Sequence, residues 1–276
     1  MLSGSAARSP QPLSAPSPAA TFAGVSDSNG LLLLLAHPDD ESFMLAATAA
    51  RTAAAGRRVA LVCATRGQAG SAGVPPLASR EELPALREQE LRAACAILGI
   101  ELVALLDHED KQLGSADTDA MREVLVRHVR AERPAVVVTF DPKGVSNHAD
   151  HQAIHRFALD AVTAAADPRY APELGAPHRV RRVVWPAPIL TIHEWRPEVL
   201  AAHWGVDYLI DGGAHRDAKV AALHAHRTQH LAVEREWFSQ AYRDSGGATL
   251  DWEVFRHAWG EPPPVVPAPD LFAGLD

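Results

Sequence analysis

Short unbroken apolar runs alternate along the chain with longer segments whose apolar residues recur every three or four positions. LLLLL at 31–35 has the length and character of a strand buried on both faces. Glu41–Gly56 is rich in alanine and ends on glycine, which predicts a helix that stops there. A second strand is predicted at Val59–Ala64, followed by a loop rich in Gly, Ala and Pro from Arg66 to Ser79. Leu86–Leu98 places Leu91, Cys95 and Leu98 at helical spacing ahead of Gly99, and ELVALL at 101–106 resumes as strand. Asp119–Glu132 reads as helix, Ala135–Phe140 as strand, and His151–Ala165 as helix with Asp150 placed to cap its start. Apolar strands separated by helices are the signature of right-handed crossovers, so the expected fold is α/β, a three-layer α/β/α sandwich around a Rossmann-like, mostly parallel sheet.

The pattern weakens beyond Pro168. RRVVWPAPI at 181–189 and VDYLID at 206–211 are predicted as late strands, and His215–Trp237 as one long polar-faced helix. EPPPVVPAPD at 261–270 is proline-dense and is expected to wrap the surface without regular structure. Residues 1–30 are rich in Ser, Ala and Pro, too weakly apolar to offset the entropy of ordering. A chain of 276 residues carries a prior of one or two domains. With no convincing linker, the expected division is a flexible tail over 1–30, a single domain over 31–260 and a proline-rich segment over 261–276.

Composition narrows the function classes. Charged residues are 22% of the chain and hydrophobic ones 47%, the balance of a soluble globular protein. A formal net charge of -8 gives no general electrostatic footprint for nucleic acid or an anionic membrane. No run is long enough to span a membrane, and prolines interrupt any leader-like apolar stretch, so the expected compartment is cytoplasmic. The two cysteines, Cys63 and Cys95, form neither a CxxC site nor a disulfide framework. Fourteen histidines change the picture, because they point to metal or acid–base chemistry.

That chemistry begins after the first strand. In an open α/β sheet, ligands bind outside the carboxyl ends of the strands. AHPDDES stands there with His37, Asp39, Asp40 and Glu41 and with none of the glycines a dinucleotide turn needs. After the strand PAVVVTF comes DPKGVSNHADHQAIHRF, with Asp141, His148, Asp150, His151 and His155; His155 reads as packing. Two His/Asp clusters at the ends of two strands suggest a mixed nitrogen and oxygen metal site. Zinc suits it, with a position left for water and an adjacent free carboxylate to accept the water proton; iron and manganese stay open. The reaction this describes is hydrolysis.

AHPDDE after an apolar strand, with GVSNHADHQAI downstream, closely resembles the PIG-L/LmbE-like family of zinc-dependent de-N-acetylases. TRGQAG at 65–70, REQELRAACAILGI at 87–100 and KVAALHAHRTQ at 219–229 also look like family blocks. The resemblance runs from about Leu31 to about Gln229. It implies an LmbE-like fold and a Zn2+-dependent N-deacetylase that removes an acetyl group from an N-acetylglucosamine-containing substrate. Carried over, His37, Asp40 and His151 resemble the metal ligands, Asp39 the general base acting on zinc-bound water, and His148 the histidine that stabilises the oxyanion. Arg87 and Asp110 match positions that contact substrate. The implied partner is a small N-acetylated sugar or glycoconjugate, with room for a homo-oligomer. Ser146 stands where some mycothiol-pathway relatives carry a tyrosine, a departure that sets this chain apart from them.

Other readings stay open at this stage. Arg87 and Glu90 could form a surface helical salt bridge. Arg66, Glu41 and His226 carry chemistry that suits many solvated surfaces. Trp185, Trp195, Trp204 and Tyr208 could face a sugar or pack into the core. The same clusters would serve another zinc amidase acting on a thiol conjugate or acylated metabolite, a phosphoesterase, or a catalytically silent metal- or carbohydrate-binding protein.

Overall fold

Five consecutive leucines are buried together only in a strand covered on both faces, and β1 (Gly30–Leu35) is that strand: Leu31–Leu35 are each at most 1% exposed. Each such side chain contributes roughly 1.5–3 kcal/mol of burial. The computed structural model describes residues 29–187, 194–240, 244–245 and 247–275. The predicted tail therefore lies, but for its last two residues, outside the described residues.

The order of strands and α-helices is β1, α1 (Asp40–Ala54), β2 (Val59–Thr65), α2 (Leu83–Leu98), β3 (Glu101–His108), α3 (Thr118–Glu132), β4 (Pro134–Val138), α4 (Gly144–Asn147), α5 (Ala149–Ala166), β5 (Arg182–Pro186), α6 (Pro197–Ala202), β6 (Tyr208–Asp211), α7 (Arg216–Ala225), α8 (His230–Trp237), α9 (Ala248–Asp251) and β7 (Trp252–Gly260). They build one seven-stranded sheet in the order β3-β2-β1-β4-β5-β7-β6. β1 to β5 pair in parallel, while β7 runs antiparallel between β5 and β6. Helices α1, α2 and α7 pack together, as do α3 and α5. The parallel α/β sandwich expected from the sequence is thus the fold observed. β1 neighbours both β2 and β4, so the chain changes direction across the sheet there, and the crevice beside such a switch point is where α/β proteins bind ligands.

Two expectations are corrected, and one strand stands where none was expected. The long helix over His215–Trp237 is two helices, α7 and α8, separated by a 3-10 turn at Arg227–Gln229 in which Thr228 bonds to Glu90 and Gln229 to the Ser71 carbonyl. β7 was not anticipated; it has strand neighbours on both sides and buries Glu253, Val254 and Phe255. Asp150 does not cap α5: His148 holds the N-cap position, accepting from the Asp150 backbone N–H at 3.2 Å.

Residues 261–275 form no helix or extended strand, but Ala268, Leu271, Phe272 and Leu275 enter the main core. Arg182, fully buried on β5, donates to the backbone carbonyls of Glu261 (2.8 Å), Leu271 (2.6 Å) and Ala273 (3.0 Å) and so pins this segment down. A second buried cation shapes α1. The helix breaks at Leu45, and Glu253 accepts from Ala47 N (3.0 Å) and Thr48 N (2.7 Å), with Lys219 Nζ 2.9 Å from the same carboxylate. No described helix is long and apolar enough to cross a membrane.

Candidate active site

The parallel pairing of β1 with β4 sets the two sequence clusters side by side at the carboxyl end of the sheet. His37 Nδ1 lies 3.1 Å from His151 Nε2, His151 Nε2 lies 3.3 Å from Asp40 Oδ1, and His37 Nδ1 lies 3.7 Å from Asp40 Oδ2. Asp40 is placed by its own strand end, its Oδ2 accepting from Ala36 N (3.1 Å) and His37 N (2.8 Å). Phe140, two residues past the end of β4, stacks on the His151 ring with centroids 3.8 Å apart.

Hydrogen-bond partners assign the protons on both rings. His151 Nδ1 faces the Gly144 carbonyl at 3.2 Å, and a carbonyl can only accept, so the proton is on Nδ1. His37 Nε2 faces Asp150 Oδ2 at 3.2 Å and Asp110 Oδ1 at 3.3 Å, so its proton is on Nε2. Two imidazole nitrogens and a carboxylate are left converging on one point. Lone pairs at 3.1 Å are tolerable only around a shared proton or a metal cation, and this donor set fits a cation that accepts nitrogen and oxygen ligands. Without a cation, burial alone would lower the His37 pKa, but the bonds from Asp110 and Asp150 and the charge of Asp40 outweigh it and raise it to about 10, so His37 carries the shared proton that a bound cation would replace. The Asp40 carboxyl is held well below its ordinary value, burial being overcome by His151 and His37.

Among the described residues, ligand-type atoms converge in two overlapping groups, His37/His148/His151 and His37/Asp110/Asp150. The second is the hydrogen-bonded support of His37 rather than a separate centre, because both carboxylates face the protonated nitrogen of one ring. In the first, His148 accepts the Asp150 N–H on Nδ1, which leaves its Nε2–H free to donate. Burial and the neighbouring charges of His37 and His151 lower its pKa and favour that neutral form.

Asp39 occupies a backbone conformation rare for any L-residue, φ 125° and ψ -26°. Its carbonyl accepts from Ser42 N and Phe43 N at 2.9 Å each, while its N–H donates to Glu41 Oε2 at 3.1 Å. Burial pushes its carboxyl up to about 6; Arg87 opposes the shift and Asp40 adds to it. The side chain remains 19% exposed, in reach of a ligand.

Arg87 and Asp110 sit beside this centre, 2% and 5% exposed, each engaged with protein groups. Arg87 donates to Gly67 O (2.8 Å), to Pro38 O and to Asp39 Oδ2 (2.9 Å). Asp110 joins Ala69 N (2.9 Å) to His37. The surface Arg87–Glu90 pairing is not what forms: Glu90 is buried and accepts from Thr228 N (2.9 Å) and Oγ1 (2.6 Å). His155 donates to the Phe140 carbonyl at 2.8 Å, a packing role. Tyr208 is fully buried and Trp204 is 68% exposed, so these two do not share one wall.

Sequence reasoning underrated a buried layer behind the turn. His226 Nε2 lies 2.7 Å from Glu41 Oε1, and Gln229 donates to Ser71 O at 2.9 Å. The only signal for these contacts was the HAHRTQ block itself, in which His226, Thr228 and Gln229 are all buried here.

Residues 32–162 match the PIG-L family, described as GlcNAc-PI de-N-acetylase. The chain is 34% identical over 294 residues to a 1D-myo-inositol 2-acetamido-2-deoxy-alpha-D-glucopyranoside deacetylase of Geodermatophilus obscurus, covering 91% of this chain and 99% of the relative. Among solved structures it is similar to a conserved protein from Thermus thermophilus, with a TM-score of 0.64, 27% identity and coverage of 87% of this chain and 98% of the other. The fold is also that of the N,N'-diacetylchitobiose deacetylase of Pyrococcus horikoshii, with a TM-score of 0.66, 22% identity and 84% of each chain covered.

Proposed function

This chain belongs to the PIG-L family, and we propose that it is a metal-dependent N-deacetylase that hydrolyses the acetamide of an N-acetylglucosamine-containing substrate. The observation that carries this reading is one carboxylate, Asp40, converging with two imidazole nitrogens while its neighbour Asp39 stays outside that cluster. His37, Asp40 and His151 would hold the ion, with zinc the metal that best suits two nitrogens and an oxygen. When bound it supplies Lewis acidity, polarising a carbonyl and making water more acidic.

The chain's own groups do the rest. Asp39 accepts the proton of the attacking water, a role its raised pKa suits, since a base works best near the working pH. His148 presents its Nε2–H to the oxygen on which negative charge develops. Water's hydroxyl is added to the acetyl carbon and its hydrogen to nitrogen, the C–N bond breaks, and acetate and a free amine leave. Asp150 and Asp110 keep His37 in the tautomer that turns Nδ1 toward the ion.

The test is amine release from a panel of free N-acetylglucosamine, acetylated chitooligosaccharides and N-acetylglucosamine linked to malate or inositol, with zinc added and bound metal quantified. Release from a member of the panel is the expected result. One bound zinc with no release across the panel overturns the reading in favour of a different amidase or a silent binder.

A further inference from the structure

We propose that Arg87 is a positioning residue that clamps the His37–Asp40 turn, and that Gly67 and Gly70 are glycines because the guanidinium of Arg87 occupies the space where their side chains would lie. The inference rests on the reading of Asp39 and Asp40 given above, and it assigns Arg87 a different task from gripping substrate. Its Nη2 serves both the Pro38 carbonyl and the Asp39 carboxylate, and its Nη1 serves the Gly67 carbonyl. These contacts span the residue before Asp39, the side chain of Asp39 and the loop after β2. The side chain is 2% exposed with both terminal nitrogens engaged, and its Nε is buried without a partner, so the contacts it makes are with the turn and the loop.

The backbone explains why a clamp is needed. Asp39 at φ 125° is held in a sparsely populated conformation, which persists only when its surroundings over-determine it. The planar guanidinium joins the Gly67 carbonyl on Nη1 to the two acceptors of the turn on Nη2, a span that a lysine ammonium on a flexible stem does not bridge with fixed geometry. The glycines supply independent support. A Cβ at Gly67 would sit inside the guanidinium, and one at Gly70 would lie 2.5 Å from Nη1. Gly67 has φ +64° and needs glycine for its backbone as well, whereas Gly70 does not adopt a positive φ. Alanine at Gly70 therefore displaces the guanidinium without deleting it and at an ordinary φ, although its Cβ would also press on the Gly67 carbonyl oxygen at 3.1 Å.

The experiment compares the full-length protein with Gly70→Ala, Arg87→Ala, Arg87→Lys and the Gly70→Ala/Arg87→Ala double variant. Each is titrated with zinc alone, assayed for kcat and KM on the substrate panel, and melted to check folding. Loosening a support of metal ligands typically costs 10- to 100-fold, so Gly70→Ala and Arg87→Ala should each weaken zinc binding and lower kcat by roughly that factor. KM should stay within about twofold, and the double variant should be no worse than Arg87→Ala, because contacting residues do not act additively. Arg87→Lys should restore little. Arg87→Ala that raises KM while sparing kcat and zinc affinity would show that Arg87 holds substrate, and overturns the proposal. Multiplying losses in the double variant overturn it too. Should Arg87→Ala not fold, Gly70→Ala and Arg87→Lys still decide, since each leaves a cation in place. Should the wild type release amine from no substrate, the deacetylase reading fails while the zinc titrations still settle the clamp.

Discussion

His226 reaches across 185 positions of sequence to place Nε2 2.7 Å from Oε1 of Glu41, and neither side chain is exposed. The pair backs the turn that carries Asp39 and Asp40, since the other oxygen of Glu41 accepts from Asp39 N. A carboxylate there without a counter-charge would face two further acids. His226→Leu should therefore cost about 3–5 kcal/mol of stability, the penalty for breaking a buried pair from one side. Pairing it with Glu41→Gln should recover much of the loss. Urea unfolding of the single and double variants measures both, and an unchanged midpoint in His226→Leu would refute the pairing.

Asp39→Asn keeps the size of the side chain and removes its basicity. Amine release should fall about 10²- to 10⁴-fold, the usual contribution of a positioned general base. Zinc content should stay near that of the wild type, because Asp39 is not among the converging ligands. Turnover retained in this variant would reassign the base.

Asp39 titrates near 6, above the ordinary aspartate value, and must be deprotonated to accept a proton. The acid limb of kcat/KM should accordingly rise with pH and level off by about 6, with a bound cation moving it toward lower pH. A profile on a substrate with no group ionising in that range reads this directly. A limb near the ordinary aspartate value of about 4 would show that Asp39 keeps its solution basicity.

Chelation should abolish amine release and zinc should restore it. Because the ion would bind only the folded site, zinc at 100 times its Kd should add about 2.7 kcal/mol to the unfolding free energy. Denaturant melts with and without zinc test this, with His151→Ala, in which the added stability should vanish, as the control.

Arg182 ties three carbonyls of residues 261–275 to β5. Arg182→Met should release that segment, and limited proteolysis should then cut within 261–275 under conditions that leave the wild type intact. Equal cleavage rates would show that the apolar contacts of Leu271, Phe272 and Leu275, with the bonds from Arg51 and Arg181, suffice to hold it.

The central sheet and both candidate catalytic clusters were legible because their signals are local. Leu31–Leu35 is too apolar for anything but a buried strand, and HPDD and HADH each crowd His and Asp into one turn. What escaped depends on distant partners. WEVFRHAWG alternates poorly and carries Glu253 and Arg256, so nothing local marks it as strand; it becomes one between β5 and β6, where Glu253 finds Lys219 and two backbone N–H groups. The helical period over His215–Trp237 runs on through the point where the chain turns, because the turn is set by Glu41, Glu90 and Ser71 from elsewhere in the chain. Asp150 satisfies the composition rule for a cap, yet Lys111 N (2.6 Å) and Leu113 N (3.1 Å) claim its oxygens along with His37.

The strap over 261–275 also bears on how the molecule is made. Leu271, Phe272 and Leu275 join the same core as β1, though some 240 positions separate them from it. A ribosome adds about 5–20 residues per second, so β1 to β4 and the helices between them are outside the exit tunnel for several seconds before these side chains follow. During that interval the crevice between β1 and β4 can already assemble, while the surface that Leu271 and Phe272 will cover stays open to chaperones and to other nascent chains.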